Sequence, residues 1–296
     1  MGQDLHYSVG SSPTDPTDIE SISDLRDWMG RCIERYENQV AEFESPVPHG
    51  RVYIARTIRY RSGEGLVQTG SAPSFFGGLW SLATCKKGMR GEPEGDNSPN
   101  PDHPFQRLFH DSDENGVRRP KCPVYILPSS SRSKSGNDKR PGVGSHRNWL
   151  TSVAMVTHGF DSMEDYGAYL RRAHDGEAVA NRLTHVSDRP KIAENRGDCH
   201  VDDDGNVRYP PNKHQHGDGS GEPKCGCGNT SGGLNPYDHV DNSEFHVKCV
   251  SESDYWLGWT EPTFAIKPED EFNVGSPVSK GLDDILSRFE AVPGGQ

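Results

Sequence analysis

The apolar residues of this chain are spread unevenly, and that unevenness limits what it can fold into. Stretches 91–147 and 196–244 hold only 19 Ala, Val, Ile, Leu, Met, Phe, Trp, Tyr or Cys in 106 residues. The other 190 residues hold 73. A segment that buries little apolar surface cannot offset the entropy lost when its backbone is ordered. One evenly packed core over all 296 residues is therefore excluded. The pattern predicts a compact domain interrupted by two polar excursions. Val, Ile, Leu and Phe together make up 53 residues, a share at which disorder is a serious reading only when charge is also high. A net charge of −12 over this length is not high.

No apolar run approaches the ~18 residues a membrane helix needs, so no membrane partner is expected. The opening Met1-Gly2-Gln3-Asp4-Leu5-His6 has neither a cationic flank nor an apolar run. It also lacks the Ser or Thr that a myristoylation signal puts where His6 stands. Seven cysteines, an odd number, suit a reducing compartment in which thiols hold metals or act as nucleophiles. The expected location is the cytoplasm.

Charge is distributed in blocks. Residues 1–50 carry 3 basic and 10 acidic side chains, whereas 51–90 carry 7 basic against Glu64 alone. Residues 118–147 hold 8 basic against Asp138. An acidic chain is poorly suited to long duplex DNA, where each neutralised phosphate needs a Lys or Arg. Local basic stretches still suit one nucleotide or a short strand. Arg56, Arg59 and Arg61 are of interest because a chemical motif follows them.

Residues 1–16 are Ser, Pro and Asp rich and read as a flexible N-terminus. Thr17-Asp18-Ile19-Glu20 has the form of a capping box. Ile19, Ile22, Leu25, Trp28, Met29, Cys32, Ile33 and Tyr36 then recur at helical spacing. They predict an amphipathic helix within 17–45, stopped near Ser45-Pro46. Residues 46–296 read as one domain with insertions at 91–147 and 196–244. Val52 and Ile54 lie on a strand over 51–61, and Gly63-Glu64-Gly65 reads as a turn. The acidic stretch 91–116 reads as loop. Strands are expected at 122–127, 149–157, 245–250 and within 255–266. Asp161-Ser162-Met163-Glu164 reads as a second capping box, opening a helix through Ala173, and a short helix follows Leu282. Helices and strands are interspersed with no regular alternation and no repeat. The class is α+β, expected as a small curved mixed sheet or a partly closed barrel with flanking helices.

The segment 72–90 carries the first chemistry. Gly77 and Gly78 would let backbone approach a ligand closely, and Phe75, Phe76 and Trp80 offer stacking faces. Thr84, Lys86 and Arg90 are donors of the kind phosphate takes, with Arg56 upstream. Cys85 beside Lys86 is a candidate activated thiol, set against the simpler reading of a buried core cysteine. The run Ala72-Pro73, Phe76-Gly77, then Leu82-Ala83-Thr84-Cys85-Lys86 and Arg90, resembles the signature of the nucleotide-modification-associated domain family, the second of its numbered series. Further segments resemble that family in order: Val153-Ala154-Met155-Val156 followed by Tyr166, Gly197-Asp198, His214 or His216, and Val250-Ser251-Glu252-Ser253-Asp254-Tyr255-Trp256-Leu257-Gly258. Cys199 departs from the family's Asn.

The resemblance implies association with nucleotide or base modification, in prokaryotic or phage settings. Its order of elements is also similar to the small PUA and EVE type barrels that bind a flipped modified base. Reading such a base uses an aromatic sandwich, for which Phe76, Trp80, Tyr255, Trp256 and Trp259 are candidates. Their alternative is ordinary core packing.

A second constellation lies at 196–249, where 9 of 54 residues are Cys or His against 20 of 296 overall. A loop this polar has few ways to hold a shape, and zinc bound by four thiolate or imidazole ligands is one. Cys225 and Cys227 lead the ligand set, with Cys199, Cys249 and His214 completing or competing for it. About one zinc per chain is then expected on metal analysis of the purified protein. Asp202-Asp203-Asp204-Gly205-Asn206 lacks the terminal glutamate of a calcium loop and reads as a solvated turn.

Three functions remain open at this level. The chain is an enzyme of nucleotide or base modification with His216 and Asp198 as an acid and base pair and Lys86 and Cys85 as further catalytic candidates. Alternatively it is a non-catalytic reader of a modified base in DNA or RNA. The third is a zinc-stabilised interaction protein, partnered through its N-terminal helix or by oligomerisation.

Overall fold

The computed structural model describes residues 16–55, 58–61, 65–68, 73, 78–83, 87–91, 102–130, 148–173, 247–267, 277–279 and 281–292. The first helix, α1 (Ile22–Gln39), is opened by Ser21. Ser21 Oγ accepts from the Asp24 amide at 3.1 Å, and the Asp24 carboxylate accepts from the Ser21 amide at 2.8 Å. This reciprocal cap replaces the one the sequence suggested at Thr17. The predicted stripe is the buried one, with Leu25, Trp28, Met29, Cys32 and Tyr36 facing inward. The helix stops at Gln39, short of Ser45. Phe43 folds back to stack on Tyr36 with ring centroids 4.7 Å apart. Residues seven apart on a continuous helix would be separated by about 10 Å along its axis, so the stack and a longer helix are incompatible.

The strands in chain order are β1 (His49–Ala55), β2 (Ile58–Arg61), β3 (Gly65–Gln68), β4 (Trp80–Leu82), β5 (Val117–Arg118), β6 (Val124–Ser130) and β7 (Ser152–Met155). They continue as β8 (His158–Phe160), β9 (Lys248–Ser251), β10 (Trp256–Gly258), β11 (Phe264–Ile266), β12 (Pro277–Ser279) and β13 (Phe289–Ala291). The remaining helices are α2 (Lys87–Arg90), α3 (Met163–Ala173) and α4 (Leu282–Leu286).

A five-stranded sheet runs β10-β7-β6-β1-β12, with β1 and β6 parallel and its other pairs antiparallel. A four-stranded antiparallel sheet runs β4-β9-β8-β5. Two-stranded pairs β2–β3 and β11–β13 complete the strands.

Side-chain alternation sorts the larger sheet into two cores. Val52, Tyr125, Leu127, Val153, Met155 and Leu257 pack with Leu25, Met29, Cys32, Ile285 and Leu286 from α1 and α4. Tyr53, Val124, Ile126, Ala154 and Trp256 point the other way and pack with Trp80, Leu82 and Cys249 of the smaller sheet. The smaller sheet's far side buries Leu79, Val117, Phe160 and Val250 against Tyr166, Tyr169 and Leu170 of α3. The order of layers is therefore helix, sheet, sheet, helix. This is α+β with mixed sheet pairing, and no closed barrel forms among the described residues.

One expectation is corrected. The stretch 91–116, read as acidic loop, supplies Phe105, Leu108 and Phe109 to the core between the sheets. Phe105 and Leu108, three residues apart, share one side of a single 3₁₀ turn at Gln106–Leu108, and the extended Phe109 follows it. One turn is too short to stand out from its acidic flanks. Among the described residues, no helix is long and apolar enough to cross a membrane.

Candidate functional site

Segments far apart in the chain meet on the smaller sheet. β4 pairs with β9, placing Trp80 opposite Ser251 and Leu82 opposite Cys249. The Trp80 indole N–H donates to Ser152 Oγ at 3.1 Å, and the Trp256 indole N–H donates to the Gly78 carbonyl at 2.9 Å. The Tyr166 hydroxyl donates to Ser81 Oγ at 2.9 Å. The last two contacts join the 72–90 segment to Tyr166 and to the 250–258 segment, both parts of the family resemblance.

Where they meet, polar side chains are buried together. Glu252 follows β9 directly and is 1% exposed. Its Oε1 accepts a hydrogen bond from the Tyr169 hydroxyl of α3. The ring of half-buried His158 on β8 lies 4.8 Å from that of Tyr169. His158 Nδ1 is 2.9 Å from Thr157 Oγ1 and 3.4 Å from the Tyr169 hydroxyl. Thr157 Oγ1 also accepts from the Glu252 amide at 3.3 Å. The Arg172 guanidinium lies over the Tyr169 ring at 6.0 Å. A buried carboxylate, a phenol and a partly exposed imidazole in one hydrogen-bonded group form an acid and base assembly.

The sequence folds this way because α3 is aimed by its cap. Ser162 Oγ accepts from the Asp165 amide at 3.0 Å and donates to the Asp165 carboxylate at 2.7 Å. The box thus begins at Ser162, one residue after the position read from sequence. The Asp161 carboxylate instead takes Arg118 at 2.9 Å, while its carbonyl accepts from the Lys248 ammonium. The helix is described through Ala173.

Cations are buried beside this cluster. Arg118 donates to Gln106 Oε1 at 2.5 Å and to the His110 carbonyl at 2.8 Å. Arg90, fully buried, donates to the Val247 carbonyl. Lys248 is also fully buried. Burial of several cations demands hydrogen-bond partners for each, since an uncompensated buried charge is strongly destabilising.

Of the residues singled out by sequence, Trp80, Arg90, Tyr255, Trp256, Trp259 and Cys249 are described, and all are buried. Trp80 and Trp256 tie strands together through their indole N–H groups. Arg90 is an internal strut rather than a surface donor. Tyr255 packs in the core on α1, with Tyr36 edge-on at 6.2 Å. The structure places these four inside the protein, which for the three aromatics is the core packing that the sequence also allowed. Cys249 lies in the core between the sheets. Burial pushes its thiol up to about 12, with Arg90 and Lys248 pulling the other way.

Among the described residues, no three His, Cys, Asp or Glu stand together as a metal-binding group. Arg56, Phe76, Gly77, Thr84, Cys85, Lys86, Asp198, Cys199, His214, His216, Cys225 and Cys227 lie outside the described residues.

Sequence reasoning missed Thr157, His158, Tyr169 and Glu252. Glu252 lies inside the quoted 250–258 run, and Tyr169 sits three residues after the quoted Tyr166. No family model, curated protein or solved structure matches the chain.

Proposed function

We propose that this protein serves a nucleotide or base modification system, binding a nucleotide or a modified base at the face formed by β8, the start of the β9–β10 link and α3. The observation that carries the reading is the junction of the three resembling segments. Residues separated by 85 and 178 positions are joined by hydrogen bonds from the Tyr166 and Trp256 side chains. An acid and base group of Glu252, Tyr169 and His158 lies at that junction.

A modified-base reader of the PUA and EVE type would use the same junction without turnover. The sandwich of two sheets supports the α+β part of that likeness, and the barrel is a further proposal. Lys86 and Thr84 remain the proposed phosphate contacts. Zinc at Cys225 and Cys227 remains a proposal on the loop's composition.

The test is binding. Isothermal titration of the full chain with deoxynucleoside monophosphates should give saturable heat, and mass spectrometry of freshly purified protein should find a carried nucleotide. Lys86→Ala should remove binding while leaving the thermal unfolding curve in place. Absence of both heat and carried nucleotide would end the reading.

A further inference from the structure

The hairpin that leads into β5 turns on Asp113-Glu114-Asn115-Gly116. Its arms pair where the His110 amide donates to the Arg119 carbonyl at 2.9 Å and the Asp113 amide to the Val117 carbonyl at 3.0 Å. At the tip the Gly116 amide donates to the Asp113 carbonyl at 3.0 Å. Asp113 Oδ1 accepts from the Asn115 amide at 2.9 Å and from the Val117 amide at 3.0 Å. Three successive amides are thus held by one aspartate. Gly116 has φ +73°, the left-handed position that closes a three-residue hairpin loop. A Cβ there would overlap the Asp165 side chain, so the tip is seated on a residue of the α3 cap.

The same tip carries a reactive pair. Asn115-Gly116 is the one Asn-Gly step in the chain, and Asn115 is exposed. Glycine has no Cβ to hinder its amide nitrogen from reaching the side chain before it. In deamidation the Gly116 nitrogen gives its proton to solvent and bonds to Asn115 Cγ. The Cγ–Nδ2 bond breaks and ammonia leaves, which closes a five-membered imide. Water then opens the imide at one of its two carbonyls. One opening gives an aspartate; the other gives an isoaspartate, whose main chain runs through the former side chain and is one methylene longer. The net change is amide plus water to carboxylate plus ammonium, with nothing oxidised or reduced.

We propose that Asn115-Gly116 is a self-modification site guarded by Asp113, and that its isoaspartate product unseats the hairpin tip from α3. The closed turn engages the Gly116 amide with the Asp113 carbonyl, so attack on Asn115 requires that bond to open first. After conversion the added methylene displaces Gly116 from the place where, lacking a Cβ, it clears Asp165. The new carboxylate also joins the exposed Asp111, Asp113 and Glu114, which adds like charge to the tip. Because α3 carries Tyr169, the modification acts at the anchored end of a helix that supplies the candidate site. It stands whatever that site binds.

The experiment follows deamidation at Asn115 by peptide mass spectrometry of the full chain, incubated folded and in guanidinium chloride. Conversion should be at least about tenfold slower in the folded chain, since it must wait for the turn to open. Asp113→Ala, checked for folding by circular dichroism, should speed conversion of the folded chain, and Asp113→Asn, which keeps the accepting oxygen, should restore most of the protection. Equal rates in folded and denatured chain would overturn the guard, and that comparison needs no variant. No conversion at Asn115 in the denatured chain would overturn the site itself. A folded Asp113→Ala chain that converts no faster than the parent would take the guarding role from Asp113. The isoaspartate form, separated by its added charge, should show faster amide hydrogen exchange in peptides covering 111–118 and the start of α3. Unchanged exchange there would overturn the release from α3.

Discussion

The two outer faces of the sheet pair bury different things. On the α1 and α4 side, the core is Leu25, Trp28, Met29, Leu127, Val153, Met155, Ile285 and Leu286 with their aromatic neighbours. Polar groups there are few, and they serve the fold, as where the Tyr125 hydroxyl donates to the Met29 carbonyl at 2.5 Å. On the α3 side, the smaller sheet buries Glu252, Thr157, Lys248 and Ser81, with Arg90 and Arg118 close by. Burying a polar group costs about 1–3 kcal/mol unless hydrogen bonds replace water. A chain gains nothing in stability from choosing such residues over leucine. The apolar face is a scaffold, and the polar face carries the proposed site.

The comparison can be broken most directly on the scaffold side. Leu25→Ala removes a fully buried side chain and should lower the unfolding free energy by about 3 kcal/mol, leaving nucleotide affinity unchanged. Chemical denaturation and calorimetric titration on the same sample check both halves. An affinity loss in the folded variant would mean that the two faces are not separate.

Glu252→Gln sharpens the other side. Glutamine keeps an oxygen for the Tyr169 hydroxyl and removes the buried charge. Stability should hold or rise by about 1 kcal/mol, while nucleotide affinity falls about tenfold. Loss of stability with unchanged affinity would make Glu252 a structural residue.

A smaller effect separates capping from surface pairing. Ser21→Ala should cost about 1 kcal/mol through the lost reciprocal cap. Arg26→Ala should cost less than that, because its pair with Asp283 is exposed and screened. Equal effects in thermal melts would contradict that ranking.

The smallest expected effect is a pH slope. Burial, helped by Arg51, holds His49 below its ordinary value of 6.5. The unfolded chain therefore binds a proton before the folded one does, and stability declines as pH falls through about 6.5. His49→Asn should flatten the stability profile in that window.

Much of the scaffold was legible in the sequence. The stripe from Leu25 to Tyr36 repeats often enough to announce a helix, and the short apolar runs at 124–127 and 153–156 are buried strands. What stayed hidden depends on long-range contact. The cap at Ser21 wins because Asp24 answers it, and Phe105 and Phe109 are core only because the second sheet closes over them. The candidate site was hidden for the same reason. Thr157, His158, Tyr169 and Glu252 lie on or beside three elements, and no local spacing links a histidine opening one strand with a glutamate after another. The loop at 196–249 drew attention through its density of Cys and His, whereas a site built from one residue per element has no density to notice.

Hydrogen exchange with and without saturating dGMP tests the division between the two faces most directly. Protection should rise in peptides covering 157–173 and 248–256, and peptides covering 22–39 and 282–291 should exchange unchanged. Protection confined to the α1 and α4 face, with 157–173 and 248–256 unaffected, would contradict the assignment of scaffold and site.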